Sequence, residues 1–194
     1  MESAATSAAR PADATSGLRC FAPSQRWQLA SWLRSDLAAS WGRSKAPLDP
    51  PKGGGVHLIV LHCSDTRPSQ HYTLAMLTRD HQRRGFGQWP GYHFYVTRDG
   101  TIHYCRPMHI RGCHVSGHNT GSLGVCYEGG HSDTPPPYAD NRTAEQVEAL
   151  HDLLTTLHDL FPDAQFCGHH DLNPHKACPC LDARREYGYV FGGR

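Results

Sequence analysis

GYHFYVTRDGTIHYC, residues 91–105, is the stretch that decides the class of fold. Two runs rich in aromatic and β-branched residues flank Asp99-Gly100, a dipeptide suited to a tight hairpin. The reading is a pair of antiparallel strands. Working outward, VHLIVLH (56–62) and SLGVCYEG (122–129) are further apolar runs of strand length. Helical periodicity lies between and beyond them. TLAMLTRDHQRRG (73–85) puts Leu74, Leu77 and His81 on one face and stops at Gly85. HSDTPPPYADN (131–141) reads as a loop. Thr143 and Gln146 then form a capping-box pair. Val147, Leu150, Leu154, Leu157 and Phe161 follow on one helical face, and Pro162 ends it. Strands mixed with helices and at least one hairpin predict an α/β fold, with one central mixed β-sheet flanked by helices.

The main domain is placed at residues 56–194, with 1–55 as an N-terminal extension. Residues 1–20 are rich in Ala, Ser and Thr, carry almost no large apolar group, and are expected to be disordered. From residue 24 to 41 the pattern changes. Leu29, Leu33, Leu37 and Trp41 recur every four residues, and Trp27, Ala30 and Ala38 widen the stripe into one amphipathic helix. KAPLDPPKGGG (45–55) is a Pro/Gly linker. The favoured role for the 24–41 helix is docking on its own domain; contact with a partner or a membrane stays open.

Composition narrows the function. The net charge of +1 argues against a nucleic-acid-binding protein, which would concentrate basic residues. Eight cysteines invite a disulfide reading. Several sit inside apolar strand-like runs, where a thiol behaves as a small hydrophobe. The start of the chain has no apolar h-region. The expectation is therefore a protein made and kept reduced in a cytoplasm, so that action on a cell wall would need another delivery device; a monomer is expected.

The chemistry concentrates in two places. In LHCSDT (61–66), His62 closes an apolar strand and meets polar residues at once, although such a histidine taken alone is more often structural. GHHDLNPHKACPCLD (168–182) packs three histidines, a lysine and two cysteines into a stretch that Pro174 and Pro179 keep from being one long helix. Zinc accepts imidazole nitrogen and thiolate, and catalytic sites use three protein ligands and keep a fourth position open. A structural zinc loop, or plain surface histidines, is the competing reading.

Taken in order, LHCSDT, GYHFYVTRDGTI, GCHVSGHNTGSLGVCYEGG, the helix from Thr143 and GHHDLNPHKACPCLD resemble the type 2 N-acetylmuramoyl-L-alanine amidases, over roughly residues 56–187. That family includes phage lysozymes of the amidase kind and peptidoglycan recognition proteins. The resemblance implies one zinc per chain held by His62, His169 and Cys178, with His170 and Cys180 as the neighbours that could be confused with the ligands. It implies catalytic roles for Tyr92 and Lys176, and a place for His114 near the substrate groove. Tyr92 would share a strand face with Phe94, opposite His93 and Tyr95, unless the strand is bulged. The substrate implied is peptidoglycan or a muropeptide, cut between N-acetylmuramic acid and L-alanine. A cell-lysing endolysin is the expected context, with a cytoplasmic muropeptide-recycling amidase and a non-catalytic peptidoglycan-binding module as alternatives.

Overall fold

The computed structural model describes residues 19–41 and 55–192. Of the stretch expected to be disordered, 1–20, residues 1–18 lie outside the described residues, as do 45–54 of the expected linker and the side chain of Trp41. Arg19 and Cys20, against that expectation, are held in a strand by pairing with Tyr104 and His103. Among the described residues six strands form one sheet: β1 (Arg19–Phe21), β2 (Leu58–Cys63), β3 (Phe94–Val96), β4 (Ile102–Tyr104), β5 (Ser122–Tyr127) and β6 (Gln165–Gly168). Their order is β1-β4-β3-β5-β2-β6. β1, β4 and β3 pair antiparallel, while β3, β5, β2 and β6 run parallel. The sheet is therefore mixed, and the 91–105 hairpin is its β3–β4 corner.

Strand alternation sorts the side chains of β2 and β5 onto two faces. Ile59, Leu61 and Cys63, with Leu123, Val125 and Tyr127, join the main core. The helices α1 (Leu29–Trp41) and α3 (Ala144–Leu160) contribute Leu29, Leu33, Leu150, Leu153, Leu154 and Leu157 to it. On the opposite face lie Leu58, Val60 and Val115 in one small cluster and Leu77, Tyr95, Cys105 and Cys126 in another. Leu77 comes from α2 (Leu74–Arg83), capped by Thr73, whose hydroxyl accepts from the Met76 N–H. None of the described helices is long and apolar enough to cross a membrane.

Two helical faces differ from the sequence reading. The capping box of α3 forms in both directions between Thr143 and Gln146. Val147, however, is 40% exposed, whereas Ala149 and Leu153 are buried. The position that turns inward in the first turn is Gln146, whose amide donates to the carbonyls of Val96 and Glu128. A polar side chain thus ties the ends of β3 and β5 to the helix where an apolar one was expected. Ahead of α1, residues Pro23–Gln28 form a 3₁₀ helix rather than continuous α-helix. Its tighter winding moves Trp27 off the stripe, leaving it 79% exposed. Trp32 packs in its place, edge-on to Phe21 at 5.7 Å and to Tyr104 at 5.1 Å.

The segment before residue 42 is built into the sheet. β1 pairs with β4, and Phe21, Leu29 and Leu33 are 0–1% exposed in the main core. Arg26 reaches Asp152 of α3 at 3.0 Å, and the Tyr104 hydroxyl donates to Asp36 of α1. The helix docks on its own domain.

Candidate metal centre

The sheet brings together residues more than a hundred positions apart. β2 and β6 are parallel neighbours, with Leu61 opposite Gly168. His62 therefore emerges beside the start of α4 (His169–Leu172). That single helical turn is held by Asp171, whose carboxylate accepts from the Gly168 N–H at 2.9 Å. The chain then loops back, and the backbone N–H of Cys63 donates to the Cys178 sulfur at 3.2 Å. Ligating atoms of His62, His169 and Cys178 lie within 4.8 Å of one another. His170 turns aside: its ring sits 3.3 Å from Asp171, and its backbone N–H donates to the Cys178 carbonyl. Cys180 also stays out of the triad, with its sulfur 3.6 Å from that of Cys63.

A chain of hydrogen bonds fixes which nitrogen of His62 is free. Burial holds His62 and His114 well below the usual histidine range, with nearby histidines adding to the effect. Both rings are thus neutral, with one proton each. The Ser122 hydroxyl donates to the His118 carbonyl at 2.6 Å, so it accepts from Nε2–H of His114 at 3.1 Å. Nδ1 of His114 then accepts from Nε2–H of His62, again at 3.1 Å. This leaves Nδ1 of His62 bare, 3.7 Å from the Cys178 sulfur. Zinc bonds of about 2.0–2.1 Å to nitrogen and about 2.3 Å to sulfur at a tetrahedral angle would set these atoms about 3.6 Å apart. The donor set and its spacing fit zinc. Burial, then the charge of Lys176, also lowers His169, which keeps it neutral as a ligand must be.

His114 was expected beside the substrate. It is 8% exposed, and both its ring nitrogens are engaged within the protein. Its ring fits because residue 124 is glycine: a Cβ there would lie 2.7 Å from His114 Cγ.

Tyr92 precedes β3 and does not follow the strand's alternation. Residues 91–93 form a bend, and β3 begins only at Phe94. The bulge beside it, where the His93 carbonyl accepts from both Cys105 and Arg106, adds its extra residue on the β4 side. Tyr92 consequently packs with Tyr95 and Cys126, not with Phe94. Its ring centroid is 5.0 Å from that of His62. Burial pushes its phenol well above the usual tyrosine range, and the sulfurs of Cys126, Cys178 and Cys63 add to the shift. His81 supports this turn: its Nδ1 accepts from the Gly91 N–H at 2.8 Å. Lys176 is exposed on the rim, and among the described residues no carboxylate lies within ion-pairing distance of it.

These groups line one cleft of about 610 Å³, which Tyr92, His114, His169, Lys176 and Cys178 share with His81, Arg84 and Tyr138. That is the size of a small-ligand site. Sequence reasoning passed over Ser122, whose role depends on two imidazoles that only the folded sheet brings near. It placed His81 on the inward face of its helix but had no signal for its bond to Gly91.

Known proteins are similar to this chain in sequence and fold. The sequence profile of the N-acetylmuramoyl-L-alanine amidases matches residues 52–180. The endolysin of Escherichia phage T7 is 38% identical over 127 residues, covering 66% of this chain and 82% of that protein. The Ph2119 endolysin from a Thermus scotoductus bacteriophage superposes with a TM-score of 0.57 at 28% identity, over 79% of this chain and 95% of that one. An endolysin amidase from Clostridium intestinale gives a TM-score of 0.60 over 78% of this chain and 93% of that one; at 23% identity it speaks for the fold alone.

Proposed function

On the premise that this chain belongs to the N-acetylmuramoyl-L-alanine amidase family, whose profile spans residues 52–180, we propose that it is a zinc endolysin cutting N-acetylmuramic acid from L-alanine in intact walls. Hydrolysis of peptidoglycan follows from the family and the triad. Zinc as the metal, the roles of single residues, a monomeric state and the site of action are our reading. The observation that carries it is the 3.7 Å spacing of His62 Nδ1 and Cys178 Sγ, with His169 completing the triad.

His62, His169 and Cys178 would hold the ion. When bound, zinc supplies a Lewis acid that polarises the amide carbonyl and activates water. The chain's own groups handle charge and protons. Attack on the lactyl carbonyl builds an oxyanion in the cleft. Burial keeps the Tyr92 hydroxyl protonated, so it donates a hydrogen bond to that oxygen. The Lys176 ammonium adds positive charge from the rim. The leaving amine of L-alanine must gain a proton, and we assign to Tyr92 its relay from the attacking water. His114 holds His62 and does not touch the sugar-peptide.

Digestion of purified sacculi and of soluble anhydro-muropeptides, with mass analysis of the products, tests the context. We expect sacculi to release L-alanine-terminated peptides and leave intact glycan. Cleavage of the soluble fragments alone would favour a recycling amidase, and binding without cleavage would favour a recognition module.

A further inference from the structure

Three sulfurs gather at the end of β2, and the proposed metal accounts for only one of them. Cys63 faces the main core and is 4% exposed; Cys180 is partly exposed. Their sulfurs are 3.6 Å apart, in contact but not bonded. Two backbone features create this contact. Cys180 has φ +66°, a left-handed conformation that side chains other than glycine rarely adopt. Its N–H closes a tight turn on the Ala177 carbonyl at 2.7 Å. Across the gap, Gly130 has φ +94°, and a Cβ there would lie 2.4 Å from the Cys63 sulfur and 3.3 Å from that of Cys180. The backbone thus leaves a small space that the two thiols share.

We propose that Cys63 and Cys180 form a disulfide when the protein meets an oxidising compartment, and that this bond staples the two ligand-bearing segments together. Cys63 adjoins His62, and Cys180 lies two residues past Cys178. The inference rests on the metal-site reading in one respect: the ion occupies the Cys178 thiolate and keeps it out of exchange. The oxidant is an external disulfide, either a low-molecular-weight one or that of a dithiol oxidase. One thiolate attacks it and releases one reduced thiol. The second cysteine attacks the resulting mixed disulfide and releases the other. Two protein thiols lose two hydrogens and two electrons, and the reagent gains them. The sulfurs must close from 3.6 Å to about 2.05 Å. The bond would close a loop spanning most of the catalytic chain, and long loops lose the most unfolded-state entropy when cross-linked.

The test uses the full chain loaded with zinc and treated with oxidised glutathione. Intact mass should fall by about 2 Da, and non-reducing peptide mapping should join Cys63 to Cys180. Zinc should stay at one per chain, and Tm should rise by roughly 5–15 °C, reversibly with dithiothreitol. Cys180→Ser should lose both the mass change and the Tm rise while keeping zinc. Cys180→Ala guards against a new hydroxyl disturbing the turn. No mass change, a cross-link through Cys178 with release of zinc, or an unaltered Tm rise in Cys180→Ser would each overturn the inference. Failure of zinc to bind the reduced protein would instead strike the metal reading, so the two can fail separately.

Discussion

The two faces of the central sheet are built on different terms. Under α1 and α3, Ile59, Leu61, Leu123, Val125 and Leu154 fill space, and each is 0% exposed. Under α2, alternate residues of the same two strands supply His62 from β2, and Ser122 and Cys126 from β5. Tyr92 and His114 close over them. The first face works by burial, which is non-directional and tolerates exchange among apolar groups of similar volume. The second works by directed bonds, in which each donor needs its acceptor. One substitution should therefore cost stability on one face and chemistry on the other.

The largest expected effect breaks the polar face outright. Cys178→Ser should lose the metal and reduce wall hydrolysis to the level of the chelated wild type, because an alcohol replaces thiolate poorly as a zinc ligand. Metal content by mass spectrometry and turbidity loss of sacculi measure both. A serine variant that keeps its zinc would remove Cys178 from the ligand set.

Next comes a matched pair across the sheet. Tyr92→Phe should keep zinc and fold normally, yet lose about 10²–10³ in turnover, the usual cost of removing one oxyanion donor. Leu154→Ala should do the reverse. It leaves a cavity beneath the sheet, costs about 2–5 kcal/mol in stability, and leaves turnover per folded molecule unchanged. Denaturant melts and kcat on a soluble muropeptide distinguish them. If Leu154→Ala lowered kcat at full folding, the two faces would be coupled and the division would fail.

A smaller effect should come from the inner end of the hydrogen-bond chain. His114→Ala removes the acceptor that holds Nε2–H of His62. Loss of such an orienting partner costs about 10–100-fold in metal affinity or activity. Competition against a chelator should register the weaker binding, while KM stays near wild type. A raised KM with unchanged zinc affinity would return His114 to the substrate side, where sequence reasoning placed it.

The apolar face was the more legible of the two in the sequence. Leu150, Leu154 and Leu157 announce α3 by their spacing, and the Asp99-Gly100 pair announces the hairpin. Periodicity still misplaced Val147, because it cannot foresee that Gln146 turns inward to bond two carbonyls. It also overran Trp27, because a 3₁₀ turn and an α-turn share much the same composition. On the polar face, His62, His169 and Cys178 were legible only through a family resemblance. Nothing local in the chain states that β2 lies beside β6. Tyr92 went to the wrong side because the bend at residues 91–93, ahead of β3, leaves no periodic trace. Ser122 and Cys63 were silent for the same kind of reason: their partners are 8 and 117 residues away.

The smallest effect concerns pH and again separates the faces. Burial lowers His81 to about 4 and His93 to about 3, against an ordinary histidine value of 6.5. Folded, they bind protons less readily than the unfolded chain does. Stability should thus be full above about pH 6.5 and fall as pH drops toward the folded values, by at most about 1.4 kcal/mol per pH unit for each histidine. The window from about pH 6.5 to 5 separates the buried histidines, His62, His114 and His169 among them, from most carboxylates, which begin to protonate below it; comparison with a variant then assigns the share of one histidine. His81→Asn keeps an acceptor in place of Nδ1 for the Gly91 N–H but cannot take up a proton. The variant should be somewhat less stable at pH 7, because it loses ring contact with Phe86 and Tyr92. Its stability should nonetheless decline less steeply between pH 6.5 and 5, so that the gap from wild type narrows on acidification. Leu154→Ala, on the other face, should keep the wild-type slope at a lower level. Urea melts at half-unit intervals of pH would resolve the two behaviours. Parallel curves for wild type and His81→Asn would mean that His81 takes up its proton as easily folded as unfolded, and the polar face would then lose its acid sensitivity at that position.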